Sequence, residues 1–293
     1  MKLKGSAWIA WIFLLPSLLV IGLVLFYPLA TEIRYSFIDH HGQMTFQHYI
    51  ELFSSFFSSN SIFRDVIFQT IAWTVINLFL QFTIGLVLAL LLNRIRKGRA
   101  IYQTLLMIPW VVPSFVGAYA WLWLFHDRFG FMNQVLHKVK LPIFHWLDDG
   151  TITMLVVIMV NVWIGVPFMM ITFLGGLRSI PRSLYEVARI EGASSWQQLT
   201  HITLPLLRPV AVTATALGMI WTFNMFNVIY IVSGGGPANS TETLITYTYQ
   251  EAFQNGNIGI ASTYGVVILS FLIAFTLYYQ RVLKANQNEG MYY

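Results

Sequence analysis

Long apolar runs free of charge recur along the chain, and six of them reach the length of about 20 residues that a helix needs to cross a bilayer. They run from about Ala7 to Ala30, Val66 to Leu92, Ile101 to Phe125, Ile152 to Leu177, Val210 to Val232 and Ile258 to Tyr279. Two intervening stretches, residues 31–65 with Phe46, Tyr49, Phe53, Phe56 and Phe57, and residues 126–151 with Phe131, Val135 and Leu136 beside Lys138 and Lys140, mix aromatic and polar side chains. They read as interfacial helices that cap the bundle. The first run follows Lys2 and Lys4 but is longer than the apolar stretch of a secretory signal and has no small-x-small cleavage site after it, so it is expected to stay as an anchor. The polar tail after Lys284 reads as loose.

Composition sharpens this picture. Of the 293 residues 57% are hydrophobic and 10% charged, where a soluble domain carries about 25% charged residues. That excludes an ordinary water-soluble globule. The absence of cysteine excludes disulfides, thiolate nucleophiles and cysteine-ligated metal centres. His40 and His41 are adjacent while His48, His126, His137, His145 and His201 stand alone, so histidine spacing predicts no metal site. The net charge of +5 lies in short clusters between apolar runs, which argues for membrane topology and against nucleic acid. Lys2, Lys4, Arg94, Arg96, Lys97, Arg99, Arg178, Arg182, Arg189, Arg208, Arg281 and Lys284, twelve of the 17 basic residues, fall on one side. Arg34, Arg64, Arg128, Lys138 and Lys140 fall on the other, so both termini are expected in the cytoplasm.

The spans hold no Lys, His, Asp or Glu beyond their outermost turns. Proton- and sodium-driven transporters usually bury such groups, so energy for transport would come from elsewhere. The sequence has no GxxxxGK[ST] loop, so ATP hydrolysis would belong to another polypeptide. Neither a Gly-x-Ser-x-Gly nor a pair of buried aspartates supports an intramembrane protease.

The loop from Arg178 to Pro209 reads as a helix, a turn and a second helix. Pro181 suits a first helical position, and Ser183 three residues before Glu186 fits a capping box. Gly192 suits a left-handed C-terminal turn, and Ser194 with Gln197, or Ser195 with Gln198, offers the next cap, with Pro205 as the stop. The small residues Ala188, Gly192 and Ala193 would let a partner approach the backbone. On these features alone, docking of a partner and folding against the span ends are both open.

The spacing of Glu186, Val187, Ala188, Gly192, Ile202, Leu204 and Pro205 resembles the Glu-Ala-Ala signature of permease subunits of ATP-binding-cassette (ABC) importers, with Val187 in place of the first alanine. The resemblance implies that this loop couples to the ATPase subunit, with Glu186 at the contact. A narrower resemblance, to carbohydrate permeases of the maltose and glycerol-phosphate type, rests on Trp221 to Tyr230, on Ser233-Gly234-Gly235-Gly236-Pro237 and on Thr241-Glu242-Thr243-Leu244. Tyr27-Pro28 and Ser36-Phe37 resemble the first of the two dissimilar permeases of such systems. On one continuous helix Trp221, Asn224 and Asn227 would share an arc of about 120°, with Tyr230 beyond. An indole beside two amides suits a sugar path, although the amides could equally bridge helices. Gln81, Asn77, Asn161, Trp163, Pro109 and Pro113 read as packing, interhelical bonding or kinks.

The expectation is therefore an all-α integral membrane bundle of about six helices with the type I ABC importer permease fold, placed in the cell membrane of a prokaryote. Residues 1–65 would form an N-terminal anchor and external segment, 66–284 the permease core with coupling loop 178–209, and 285–293 a cytoplasmic tail. The resemblance implies a heterodimer with a second permease, two cytoplasmic ATPase subunits, an extracytoplasmic solute-binding protein and a carbohydrate substrate moved by alternating access. It implies no catalytic residues and no bound cofactor in this chain, the ATP being used by partner subunits. The alternative is an ATP-independent channel or facilitator with a regulatory loop.

Overall fold

A computed structural model describes residues 7–39, 41–58, 61–95 and 97–289. The sequence expectations that concern Lys2, Lys4, His40, Arg96 and residues 290–293 lie outside the described residues. In chain order the helices are α1 (Ala7–Ile21), α2 (Tyr27–Tyr35), α3 (Gln47–Phe56), α4 (Ile62–Arg94), α5 (Arg99–Val111), α6 (Ser114–Leu124) and α7 (Phe131–Lys138). They continue with α8 (Gly150–Ser179), α9 (Arg182–Ile190), α10 (Ser195–Gln198), α11 (Leu204–Phe223), α12 (Asn227–Val232), α13 (Leu244–Tyr249) and α14 (Ile258–Glu289). Among the described residues, five helical stretches are long and apolar enough to span a membrane, and α5 and α6 pass the same test when the bent pair is taken together. The expected interfacial segments do contain helices, α3 and α7. The expected loose tail is helical as far as Glu289, a continuation of the last span.

One compact unit comprises residues up to Arg64 with Thr248–Phe271. In it α1 and α2 join through a π-turn, Gly22–Phe26, into a spanning rod, Trp11–Tyr35, whose most apolar window is not buried at all. Side chains such as Phe13, Leu23 and Val24 are thus presented outward, as lipid contact requires. Buried Ser36 accepts a hydrogen bond from the Tyr49 hydroxyl at 2.8 Å and ties α3 to the end of this rod. Phe63 meets Tyr264 edge-on at 5.4 Å.

The other unit, Asp65–Tyr247 with residues from Leu272 onward, is organised around α8. Asp149 caps α8 by accepting the Ile152 N–H at 3.0 Å. One half of α8, Val156 to Ile164, packs with Trp73 of α4, Ala118 of α6 and Val228, Ile229 and Val232 of α12. The other half, Met169 to Leu177, packs with Ala89 and Leu92 of α4 and Leu207 and Ala214 of α11. Gly85 permits this closeness, since a Cβ there would strike the Met169 side chain.

Two expected spans are not continuous. The run Ile101 to Phe125 is α5 and α6, bent by 90°. Proline disfavours the α conformation in the residue before it, and Val112 is extended with ψ of 130° immediately ahead of Pro113. The run Val210 to Val232 breaks at Asn224–Phe226, and its helix begins much earlier, at Ser195. Pro205 does not stop that helix. A π-turn at Leu199–Thr203, in which the Leu204 N–H bonds the Leu199 carbonyl, shifts the register just ahead of the proline and accommodates its ring.

Candidate functional site

Where the two breaks meet α4 and α8 they leave a cavity of about 280 Å³. Its walls come from Gln81 of α4, Trp110 to Ser114 at the first break, Asn161, Ile164, Gly165 and Phe168 of α8, and Gly218, Trp221, Thr222 and Met225 at the second. Among the described residues that line it, none is charged. Trp221 packs against Phe168 with ring centroids 4.7 Å apart. Gly165 makes room for the Gln81 amide, which would collide with any Cβ at that position.

A buried polar chain supports the walls. Trp73 donates its indole N–H to the Thr222 carbonyl at 2.9 Å, Asn77 donates to the Trp73 carbonyl at 2.8 Å, and Asn161 donates to the Asn77 side-chain oxygen at 2.9 Å. Gln81 then donates to the Asn161 carbonyl at 3.2 Å. The expected interhelical role of Asn77, Asn161 and Gln81 is thus observed, and Gln81 and Asn161 also face the cavity. The sequence reading of these amides as packing or interhelical bonding does not place them on a cavity, and it passes over Trp110, Ser114, Phe168 and Thr222. The available signal was the Ile-Pro-Trp-Val-Val-Pro stretch, Ile108 to Pro113, where two prolines flank an indole inside an apolar run.

Of the four residues expected to line a sugar path, Trp221, Asn224, Asn227 and Tyr230, only Trp221 lines this cavity. Asn224 ends α11 and donates to the Ile220 carbonyl at 2.8 Å. Asn227 begins α12 and donates to the Ser114 hydroxyl at 2.8 Å, joining the two halves that follow the breaks. Tyr230 stacks on Phe226 at 4.8 Å. The common arc fails because no continuous helix connects Trp221 to Asn227.

The hairpin at 178–209 forms largely as its local signals dictate. Gly192 has φ of +80°, the Ala193 N–H bonds the Ala188 carbonyl at 2.8 Å and the Gly192 N–H bonds the Arg189 carbonyl at 3.1 Å, a Schellman ending. Ser194 and Gln197 make a reciprocal capping box. Pro181 sits at the N-cap of α9, one residue before the expected position, and Ser183 lies inside the helix and caps nothing. Tyr185 and Thr203 share a hydrogen bond of 2.9 Å that fastens α9 to the next helix. Glu186 and Val187 are exposed, as are Leu204 and Pro205, while Ile202 is half-buried. Ala188 is buried against its own fold and offers no surface to a partner, whereas a Cβ at Gly192 would meet nothing within 4 Å.

Beyond the spans, Glu242 is buried in the turn after α12, takes a short hydrogen bond from Thr246 and fills the space over Gly235, whose φ is +81°. Burial raises its pKa above the usual carboxyl value, with the Thr246 hydrogen bond opposing. On the 126–149 loop, Asp127 raises the pKa of exposed His145, first through a hydrogen bond and then through its charge.

A bundle of apolar spanning helices with an uncharged, largely apolar cavity carrying a few amides and hydroxyls at two helix breaks, and an exposed helical hairpin, has the form of a membrane transport component. Residues 81–286 match the binding-protein-dependent transport system inner membrane components, and the chain belongs to that family. It is 34% identical over 280 residues to a probable ABC transporter permease protein of Brucella suis biovar 1, covering 94% of this chain and 96% of the relative. It is 32% identical over 296 residues to the diacetylchitobiose uptake system permease protein DasB of Streptomyces coelicolor, covering 98% and 90%. Its fold superposes on a chain of a bacterial ABC transporter involved in the import of the acidic polysaccharide alginate with a TM-score of 0.84, at 22% identity over 95% of this chain and 96% of that one. The fold is that of the type I ABC importer permeases.

Proposed function

We propose that this chain is one of two dissimilar permease subunits of an ATP-driven, binding-protein-dependent importer, and that its substrate is an uncharged saccharide. The observation that carries the substrate class is the cavity lining: indoles at Trp110 and Trp221, amides at Gln81 and Asn161, hydroxyls at Ser114 and Thr222, and no charge. Indole faces stack on sugar rings, and amides and hydroxyls exchange hydrogen bonds with sugar hydroxyls. A phosphate or uronate would enter this space without a counter-charge, at a large desolvation cost. The relative named for diacetylchitobiose uptake supports a neutral oligosaccharide.

In this reading the second permease closes the path from the other side, and a binding protein delivers the sugar at the extracytoplasmic face of the prokaryotic cell membrane. Both termini are cytoplasmic. Two ATPase subunits use the ATP, and this chain binds no cofactor. The hairpin is the coupling element. Glu186, Val187 and the open backbone at Gly192 meet the ATPase, beside the exposed apolar side chains of Leu184, Ile190 and Trp196. Buried Ala188 and half-buried Ile202 hold the hairpin's form, and Leu204 and Pro205 lie exposed beside it.

The test is uptake and ATP hydrolysis by the reconstituted complex with its binding protein. Trp221→Ala should raise the half-saturation concentration or lower the rate of uptake while assembly persists. Glu186→Ala should detach or uncouple the ATPase, since truncating one member of a desolvated interfacial charge pair costs about 2–5 kcal/mol. Transport by the purified chain alone without ATP would instead establish a facilitator.

A further inference from the structure

We propose that Asp127, His145 and Asp148 form a binding site for a divalent transition-metal ion of the zinc class on the loop between α6 and α8. The His145 Nδ1 lies 2.8 Å from the Asp127 Oδ2 and 3.7 Å from the Asp148 Oδ2. One ligand atom from each of the three residues falls within 4.8 Å of the others. Zinc holds nitrogen and oxygen ligands at roughly 2.0–2.2 Å, which sets tetrahedral ligand atoms about 3.4 Å apart. The two separations from His145 bracket that value, and the two aspartate oxygens lie within 4.8 Å of each other, so the carboxylates need to swing by no more than about an ångström to close the shell.

Groups outside the cluster hold it in place. Asn133 of α7 is buried, and its amide donates to the carbonyls of Asp127 at 3.0 Å and Phe144 at 2.9 Å. Its oxygen accepts the Phe144 N–H at 3.2 Å and the Trp146 indole N–H at 3.1 Å. One saturated side chain thus pins the backbone at residues 127 and 144 and the indole of Trp146. Trp146 is further anchored edge-on against Phe125 at 5.3 Å. Asp149 is occupied in capping α8, which leaves its neighbour Asp148 for the cluster. The three side chains are 35%, 62% and 73% exposed in the order Asp127, His145, Asp148, so an ion would enter without any opening and complete its shell with water.

The donor set selects the metal. Oxygen-only shells suit calcium and magnesium, whereas an imidazole beside carboxylates suits zinc, nickel and copper. A protonated imidazole would bring one positive charge against two carboxylates, and a divalent ion brings two. Bound metal would staple the end of α6 to the start of α8 across the 126–149 loop.

The test uses the full chain, purified without a histidine tag, stripped with chelator and titrated with Co²⁺ by absorption and with Zn²⁺ by calorimetry. Wild type should bind one ion per chain and gain thermal stability with it. His145→Ala should abolish binding and the metal-dependent gain. Asp148→Asn should weaken binding at least tenfold. His201→Ala, at an exposed histidine elsewhere, should change nothing. All three replacements are at exposed side chains, and unfolding midpoints without metal should match wild type. Absence of saturable binding by wild type, or an unaltered Co²⁺ spectrum in His145→Ala, overturns the proposal.

Discussion

The α5–α6 break and the α11–α12 break both open onto the cavity, but only the first has its cause in the local chain. At the first, Pro113 removes an N–H donor and forces Val112 out of the helical region. At the second, Asn224-Met225-Phe226 contains neither proline nor glycine. Besides the local bonds of the Met225 N–H to the Thr222 carbonyl and of Asn224 to the Ile220 carbonyl, what holds this break comes from elsewhere in the fold. The Trp73 indole of α4 also donates to the Thr222 carbonyl, and the Ser114 hydroxyl of α6 accepts from the Asn227 side-chain amide. A buried carbonyl without a partner is expensive, so a break in an apolar span persists where distant side chains supply its hydrogen bonds.

The largest effect should come from restoring the first helix. Pro113→Ala removes an interior helix penalty of about 3 kcal/mol, so α5 and α6 should straighten and uptake should fall at least tenfold. Because the chain has no cysteine, spin labels on cysteines at exposed Tyr102 and Tyr119 report the change directly. An unchanged label distance would mean that tertiary contacts hold this break too. Next, Trp73→Phe removes one of the two hydrogen bonds on the Thr222 carbonyl, which keeps the Met225 N–H at 3.2 Å, and should cost about 1 kcal/mol, read as a lower thermal midpoint in detergent. Asn227→Ala should cost less, about 0.6 kcal/mol, the average for hydrogen bonds between membrane helices. A double-mutant cycle with Ser114→Ala checks that the loss belongs to this pair. A greater loss for Asn227→Ala than for Trp73→Phe would reverse the assignment of what supports the second break.

The smallest effect lies beyond α12, at Glu242. Burial raises its pKa, so the fold favours the protonated acid. The stability this group contributes is complete below its unfolded pKa and is lost as pH rises through the raised folded value. Glu242→Gln keeps an acceptor for Thr246 without a charge. Its thermal midpoint should therefore stay level across the pH range in which that of wild type declines. Parallel pH profiles for the two proteins would show that Glu242 carries no such term.

The hairpin was legible in the sequence because its determinants are local. The Gly192 turn and the Ser194–Gln197 box involve residues three to five apart, and the side-chain preferences that make them act over that range. Pro205 was misread for a related reason: a proline stop is also local, but the π-turn ahead of it changes the register it meets. The cavity was only partly legible. Pro113 and Trp221 could be read from their neighbours, whereas Gln81, Asn161 and Phe168 are ordinary span residues until helices α4 and α8 face each other.

The sequence by itself determined which segments are long and apolar enough to enter the membrane and where a capped hairpin interrupts them. Each of these depends on runs, caps and charges within a few turns of helix. Tertiary structure alone decided that the fifth span breaks at Asn224, that Ala188 turns inward, and that two aspartates converge on His145. Each of those depends on partners far along the chain, as when an indole 149 residues away adds a second hydrogen bond to the Thr222 carbonyl at the break.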